Sequence, residues 1–329
     1  MTTDLSTVTL SASAFNWTPD VTRAERSTID LAVGIVADGL TEVIELEAGQ
    51  TFRGFPTPSD AELDGFRARL DAVGGRVSIF GASLDDVTPH GGRLTDDERE
   101  AFLIPQLRAA HRVGASGVRL PVGQAGETLL RRVLPVLHEL ELTLFEEIQG
   151  QQTPDTPPVA AALQLQHDLG DPRIRILVDI SMLMPALPPS YLERLRAGGV
   201  AADLLHRLET EWRSPDTHAA VVDVLRSGQV PPEVHTLYMN LIVRFGRSQA
   251  SDLRDILPLT GAFHLKFWDL DDTDDRVSAP IRDLGEELRR TDFAGTLCSE
   301  WGGHEWVTGV SGTEITRGHL ALARAALAG

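Results

Sequence analysis

A chain of 329 residues with 42% hydrophobic content can bury a large core, and α/β barrels routinely reach about 250 residues or more as one domain. A net charge of −18 argues against nucleic acid as the main partner, because phosphate binding needs Lys and Arg clusters, and it disfavours an anionic membrane surface. The single cysteine, Cys298, excludes an intramolecular disulfide; with no secretory pattern in Met1 to Ser11 and no apolar run near the roughly 20 residues of a membrane span, a soluble cytoplasmic protein is expected.

Short β-type runs alternate with helical stretches along the chain. Val8 to Ala12 is the first strand, and a helix from Ala24 is ended by Gly39. Val43 to Glu47 is the second strand, followed by a helix opened by Ser59-Asp60-Ala61-Glu62 at capping-box spacing. Arg76 to Phe80 is the third, and Thr95-Asp96-Asp97-Glu98 caps the helix after it. Gly117 to Pro121 is the fourth, with a helix over Leu129 to Leu140. Leu142 to Glu146 and Ile174 to Asp179 are the fifth and sixth, separated by a helix from Pro158 to Leu169. Gly261 to His264 and Gly295 to Glu300 are the seventh and eighth, with a helix near Pro280 between them, and Ile315 to Leu327 closes the chain as a helix.

Eight strands alternating with helices predict a parallel sheet closed as a (β/α)8 TIM barrel. The rival is an open doubly wound sheet, but no G-x-G-x-x-G turn follows the first strand. Residues 1–329 then form one domain, carrying a helical insertion over 185–255 between strands six and seven. That insertion is a candidate lid, substrate wall or subunit contact.

A closed barrel gathers its strand C-termini around one mouth, where its chemistry is built. Strands five to eight end on carboxylates at Glu146 (with Glu147 adjacent), Asp179 and Glu300, and on an imidazole at His264. Alternation groups Leu142, Leu144 and Glu146 on one face and Thr143, Phe145 and Glu147 on the other, and does not say which face is inward. Each residue alone reads as a solvated strand end, a turn cap or a core histidine. Together, up to three negative charges would repel without a cation among them. Three carboxylates and an imidazole suit a divalent ion, Mn²⁺ first and Mg²⁺ second.

On these residues the chain resembles the xylose-isomerase-like barrels of sugar isomerases and epimerases, in which a Glu, an Asp, a His and a Glu at the ends of strands five to eight hold one metal. The resemblance runs through Leu144-Phe145-Glu146, Val178-Asp179-Ile180-Ser181, Phe263-His264-Leu265-Lys266-Phe267-Trp268 and Ser299-Glu300-Trp301. It implies Glu146, Asp179, His264 and Glu300 as the metal ligands. Met182 stands where many relatives carry a His, which departs from the usual epimerase polar shell. A narrower resemblance, carried by His264 to Trp268, Ser299 to His304 and Asp179 to Met182 leading to Pro188-Pro189, is to the catalytic α subunit of bacterial C-glycoside deglycosidases. It implies cleavage of the carbon–carbon bond of a 3-oxo-C-glycoside, with a small β-sandwich subunit as partner.

Both implied activities use one intermediate: a divalent cation binds two adjacent sugar oxygens, and the enediolate left by proton removal is held there. A lyase expels the aglycone from it; an isomerase or epimerase of an unphosphorylated keto sugar returns a proton. His304, on the Gly-rich loop beyond Glu300, and Glu147 are candidate bases, and Lys266, sharing a face with His264, is a candidate for stabilising negative charge. Trp268 and Trp301, with Trp306, are candidates for stacking on a ring; Gln149 and His90 are loop candidates. Against these stand exposed loop residues, rim packing and a structural ion pair. Asp269, Asp271 and Asp272 crowd the strand-seven loop with negative charge, which disfavours a phosphorylated sugar. An oligomer is expected, with the insertion and the final helix as contact surfaces. A metal-holding binding subunit and a DNA-repair endonuclease are the non-sugar alternatives, the second opposed by the acidic surface.

Overall fold

The computed structural model describes residues 5–88 and 90–329; residues 1–4, part of the stretch read for a signal, lie outside it. Eight strands, β1 (Thr9–Ser13), β2 (Val43–Glu47), β3 (Arg76–Gly81), β4 (Gly117–Pro121), β5 (Thr143–Ile148), β6 (Ile174–Asp179), β7 (Thr260–Phe267) and β8 (Thr296–Trp301), form a closed barrel in chain order. Every neighbouring pair is parallel, and β1 closes on β8 with Leu10 opposite Leu297. Among the described residues, no helix is long and apolar enough to cross a membrane.

Alternation along the strands separates two environments. Leu144, Ile148, Ile176, Val178, Phe263, Leu265 and Leu297 pack in the large apolar clusters beneath the outer helices. Ile79, Phe145, Leu177 and Ala262 instead meet one another in the barrel interior. Phe145 needs help to fit there. A Cβ on Gly117 would lie 2.5 Å from its ring, and one on Gly261 would lie 2.9 Å from it, so two strand glycines clear the space. With Phe145 turned inward, the period of two turns Glu147 inward and Glu146 outward.

Local chemistry sets the helix starts. Thr95 and Glu98 close the expected capping box. At Ser59 only half forms: its hydroxyl accepts the Glu62 N–H, while the Glu62 carboxylate accepts the Arg53 N–H instead. The helix expected from Ala24 to Gly39 runs only over Thr28–Ala37, capped by Ser27, because Ala24 is left-handed and ends a separate short helix, Thr18–Arg23, that was not expected.

Between β6 and β7 lie helices Pro189–Ala197, Ala202–Thr210, Pro215–Arg226 and His235–Val243. They have their own core, in which Tyr191, Leu208, Trp212, Tyr238 and Phe245 pack with Trp268 and Trp306. The last helix is held tightly over the barrel mouth. A Cβ on Gly150 (φ +60°) would fall 2.1 Å from the Val243 carbonyl oxygen, and one on Gly246 would fall 2.2 Å from Met182 Cα. Gln151 after β5 also donates to the Leu241 carbonyl at 3.2 Å.

Candidate metal centre

Inward positions of β5 to β8 bring four side chains together at the mouth. Glu147, Asp179 and His264 each offer a ligand atom within 4.8 Å of the others'. Glu300 joins them, with Oε2 2.9 Å from His264 Nδ1, and Glu147 Oε1 lies at the same 2.9 Å from that nitrogen. All four residues are buried.

Glu146 corrects the reading of strand five. Its side chain lies on the outer face, where Oε1 accepts the Gly123 N–H at 3.1 Å and Gln166 of helix Pro157–Leu169 stands beside it. The strand runs Thr143–Ile148, and the inward Phe145 ring puts Glu147 into the cluster in place of Glu146. Asp179, His264 and Glu300 are brought together as expected from their positions.

Three further charged residues, Glu45, Glu47 and Arg119, overlooked in the sequence, complete the cluster together with Lys266. Glu45 of β2 contacts His264 Nε2 through Oε2 at 2.9 Å, beneath the mouth. Arg119 of β4 donates to Glu147 Oε2 at 2.6 Å and also pairs with Glu47 of β2. Lys266 bonds Glu300 Oε1. Charged residues at alternate positions within apolar strand runs, Glu45 with Glu47 and Arg119 inside Gly117 to Pro121, were the available signal.

Charge dominates this interior. Burial pushes Asp179 up to about 6, with Glu300 and Glu147 adding to the effect and Lys266 opposing it. Burial acts the same way on Glu147, but Arg119 and His264 outweigh it and hold that carboxylate at about 2. On Glu300 burial is outweighed by His264 and Lys266, which hold it well below the usual carboxylate range. Burial would lower His264, yet Glu300, Glu45 and Glu147 overcome it and raise the imidazole well above its ordinary value.

The donor set fits a divalent cation. His264 Nδ1, Glu300 Oε2 and Asp179 Oδ2 are buried without a hydrogen-bond partner, so the close approaches to Nδ1 are not aligned as hydrogen bonds. Orphaned carboxylate oxygens and an imidazole nitrogen, converging where Glu45, Glu47, Glu147, Asp179 and Glu300 outnumber Arg119, Lys266 and His264, are the ligands such an ion takes. Glu45 on Nε2 stands where an outer carboxylate would fix the tautomer and orientation of a ligating imidazole.

The cluster floors an open cleft of about 700 Å³, lined among others by Phe15, Glu47, Arg119, Gln149, Val243 and Lys266. Gln149 is exposed on its wall. His304 stands behind it, edge-on to Phe15 at 4.7 Å and to Trp301 at 5.4 Å. Burial, reinforced by Lys266, lowers His304 to about 4, in place of the ordinary imidazole value expected. Its Nε2 has no hydrogen-bond partner. The tryptophans expected to stack on substrate are packing residues. Trp301 sits on the outer face of β8, fully buried, donating its indole N–H to the Trp268 carbonyl at 2.8 Å. Trp268 and Trp306 are buried against Phe245, and Trp306 bonds Ser190 Oγ at 3.0 Å. His90 is exposed in a turn after β3, away from the cleft lining.

No family model matches the chain. It is 26% identical over 319 residues to the 3'-dehydrocarminate deglycosidase alpha subunit of Microbacterium sp, covering 93% of this chain and 91% of that protein. It is 26% identical over 279 residues to a C-glycoside deglycosidase alpha subunit of Arthrobacter globiformis, covering 83% and 79%. The structure superposes on a D-psicose 3-epimerase solved in the presence of D-fructose with a TM-score of 0.58 and 14% identity, covering 98% and 100%. These relatives and neighbours are sugar-processing enzymes. In sequence the chain resembles C-glycoside deglycosidase alpha subunits over nearly its whole length, and its barrel has the fold of the xylose-isomerase-like sugar epimerases and isomerases.

Proposed function

We propose that this protein is a Mn²⁺-dependent carbon–carbon lyase that releases the aglycone from a 3-oxo-C-glycoside, working with a small β-sandwich partner subunit. The observation that carries this reading is the buried Glu147–Asp179–His264–Glu300 set at the floor of a wide cleft, in a chain similar to deglycosidase alpha subunits across nearly its full length. The relatives' designation as alpha subunits supports the partner. Mg²⁺ is the alternative ion.

Glu147, Asp179, His264 Nδ1 and Glu300 would hold the cation, which when bound supplies Lewis acidity to the sugar's oxygens. The chain's own residues do the remainder. Lys266 lines the cleft and places positive charge beside the oxygen that becomes negative when the C–H next to the ketone is broken. His304 accepts that proton in this reading: its Nε2 has no hydrogen-bond partner, and its lowered basicity, which works against proton abstraction, makes it the assignment that His304→Ala must decide. The electron pair from that C–H forms the double bond to the anomeric carbon. The anomeric carbon–aglycone pair departs with the aglycone carbon, which takes up a proton. Gln149 on the cleft wall offers the substrate an amide.

The test is product analysis after incubation with Mn²⁺ and a 3-oxo-C-glucoside, with and without a co-purified small partner. Free aglycone, lost in Glu300→Gln, supports the lyase. Deuterium incorporation into a free keto sugar without aglycone release moves the protein to the isomerase and epimerase class. His304→Ala that keeps Mn²⁺ but loses proton exchange marks the base; retained exchange removes His304 from that role.

A further inference from the structure

Among the described carboxylates of the buried charge cluster, all but Glu47 belong to the proposed ligand set or contact one of its members. Glu147, Asp179 and Glu300 belong to the ligand set, and Glu45 is spent on His264 Nε2. Glu47 remains. It lies on β2, while the ligands come from β5 to β8, so barrel closure sets it across the mouth from β6. It lines the cleft, and its side chain keeps 26% of its surface exposed where that of Glu147 keeps 4%. Arg119 holds one of its oxygens. The carboxyl group lies flat against bare backbone: a Cβ on Gly81 of β3 would lie 2.6 Å from Glu47 Oε2 and 2.8 Å from Oε1. An arginine fastening, shared with Glu147, and a glycine cradle thus orient a carboxylate that touches no ligand directly and faces the space a substrate enters.

We propose that Glu47 is the hydrogen-bond acceptor for a hydroxyl of the sugar ring, on the side of the cleft opposite the cation. This rests on the sugar-substrate reading above and adds the residue that recognises the ring. A sugar seated on the cation turns its remaining hydroxyls to the facing wall, and a carboxylate there, pushed up by burial but countered by Arg119, accepts the stronger, charge-assisted bond when ionised. Arg119 fixes the geometry in advance, so little ordering remains when the sugar arrives.

The experiment measures calorimetric binding of 3-oxo-D-glucose to Mn²⁺-loaded wild type, Glu47→Gln and Gly81→Ala, beside the Mn²⁺ affinity of each. Loss of a hydrogen bond to a charged group weakens sugar binding about 10- to 100-fold in Glu47→Gln. Gly81→Ala, which keeps the charge but displaces the carboxylate, shifts it in the same direction. Mn²⁺ affinity stays within about threefold in both. Sugar binding in Glu47→Gln equal to wild type overturns the proposal, as does a parallel loss of Mn²⁺ affinity, which makes Glu47 a support of the metal site. Absence of binding in wild type overturns it as well. If wild type binds the sugar and Glu47→Gln does not, yet no aglycone is ever released, the lyase reading falls and the assignment of Glu47 stands.

Discussion

In the proposed site, the face that β5 turns inward decides which glutamate would hold the cation, and adjacent substitutions test it. Glu147→Gln removes one buried negative charge from a group whose oxygens lie 2.6 Å from Arg119 and 2.9 Å from His264 Nδ1. Two unit charges about 4 Å apart attract by roughly 4 kcal/mol at an effective dielectric of about 20, and a divalent ion doubles the attraction. Most of that is offset, because the native carboxylate already bears its own desolvation and the repulsion of Glu300. A net loss of about 3 kcal/mol, about 100-fold in Mn²⁺ affinity, is expected. Glu146→Gln leaves an amide oxygen to accept the Gly123 N–H, so its Mn²⁺ affinity stays within about threefold.

Calorimetric titration with Mn²⁺ reads the difference directly, and thermal unfolding reads it independently. At about 1,000 times the wild-type Kd, bound ion stabilises the fold by about 4.1 kcal/mol; a 100-fold weaker variant retains about 1.4 kcal/mol. Glu146→Gln should melt with the full increment. If Glu146→Gln loses the ion while Glu147→Gln keeps it, the inward face is wrong and so is the role of Phe145. If both keep it, the cluster is not the site.

Glu45→Gln should cost about 10- to 100-fold in Mn²⁺ affinity by freeing the His264 ring, and an unchanged titration would show that Glu45 does not orient it. His319, buried against Phe267, is lowered by desolvation from 6.5 to about 3, so the unfolded chain binds the extra proton in that window. Its contribution to stability is complete above about 6.5 and declines by roughly 1.4 kcal/mol per pH unit as pH falls towards about 3; urea melts of His319→Gln should lack that share of the slope, and equal slopes would exclude it. Gly117→Ala drives a methyl to 2.5 Å from the Phe145 ring and 2.7 Å from the Thr143 carbonyl, and should destabilise by about 1–3 kcal/mol in the same melts. An unchanged midpoint there would mean that Phe145 does not fill the barrel floor.

Much of the barrel was legible because its strands are short apolar runs between Gly, Pro and acidic breaks. Val43–Glu47, Gly117–Pro121 and Ile174–Asp179 are read to the residue. Strand five was read one residue early at its start and two at its end, and the inward face was lost with it. The cause is physical: a barrel strand is apolar on both faces, so Leu144 and Phe145 carry no contrast between core and surface. The missing information lay on other strands, in Gly117 and Gly261, whose absent side chains make room for an inward ring. Charges supply a second constraint where they alternate. Glu45 and Glu47 share one face of β2, and outward they would lie unpaired beneath the helices, so the interior is their only affordable place. Adjacent Glu146 and Glu147 defeat that rule, since one of them faces outward in either orientation. The outward position is tolerable only with a donor waiting, and the Gly123 N–H from the β4 loop provides it for Glu146. Which glutamate of β5 faces the barrel interior therefore depends on a backbone amide 23 residues upstream and a glycine in each of two other strands, which a motif confined to β5 does not contain.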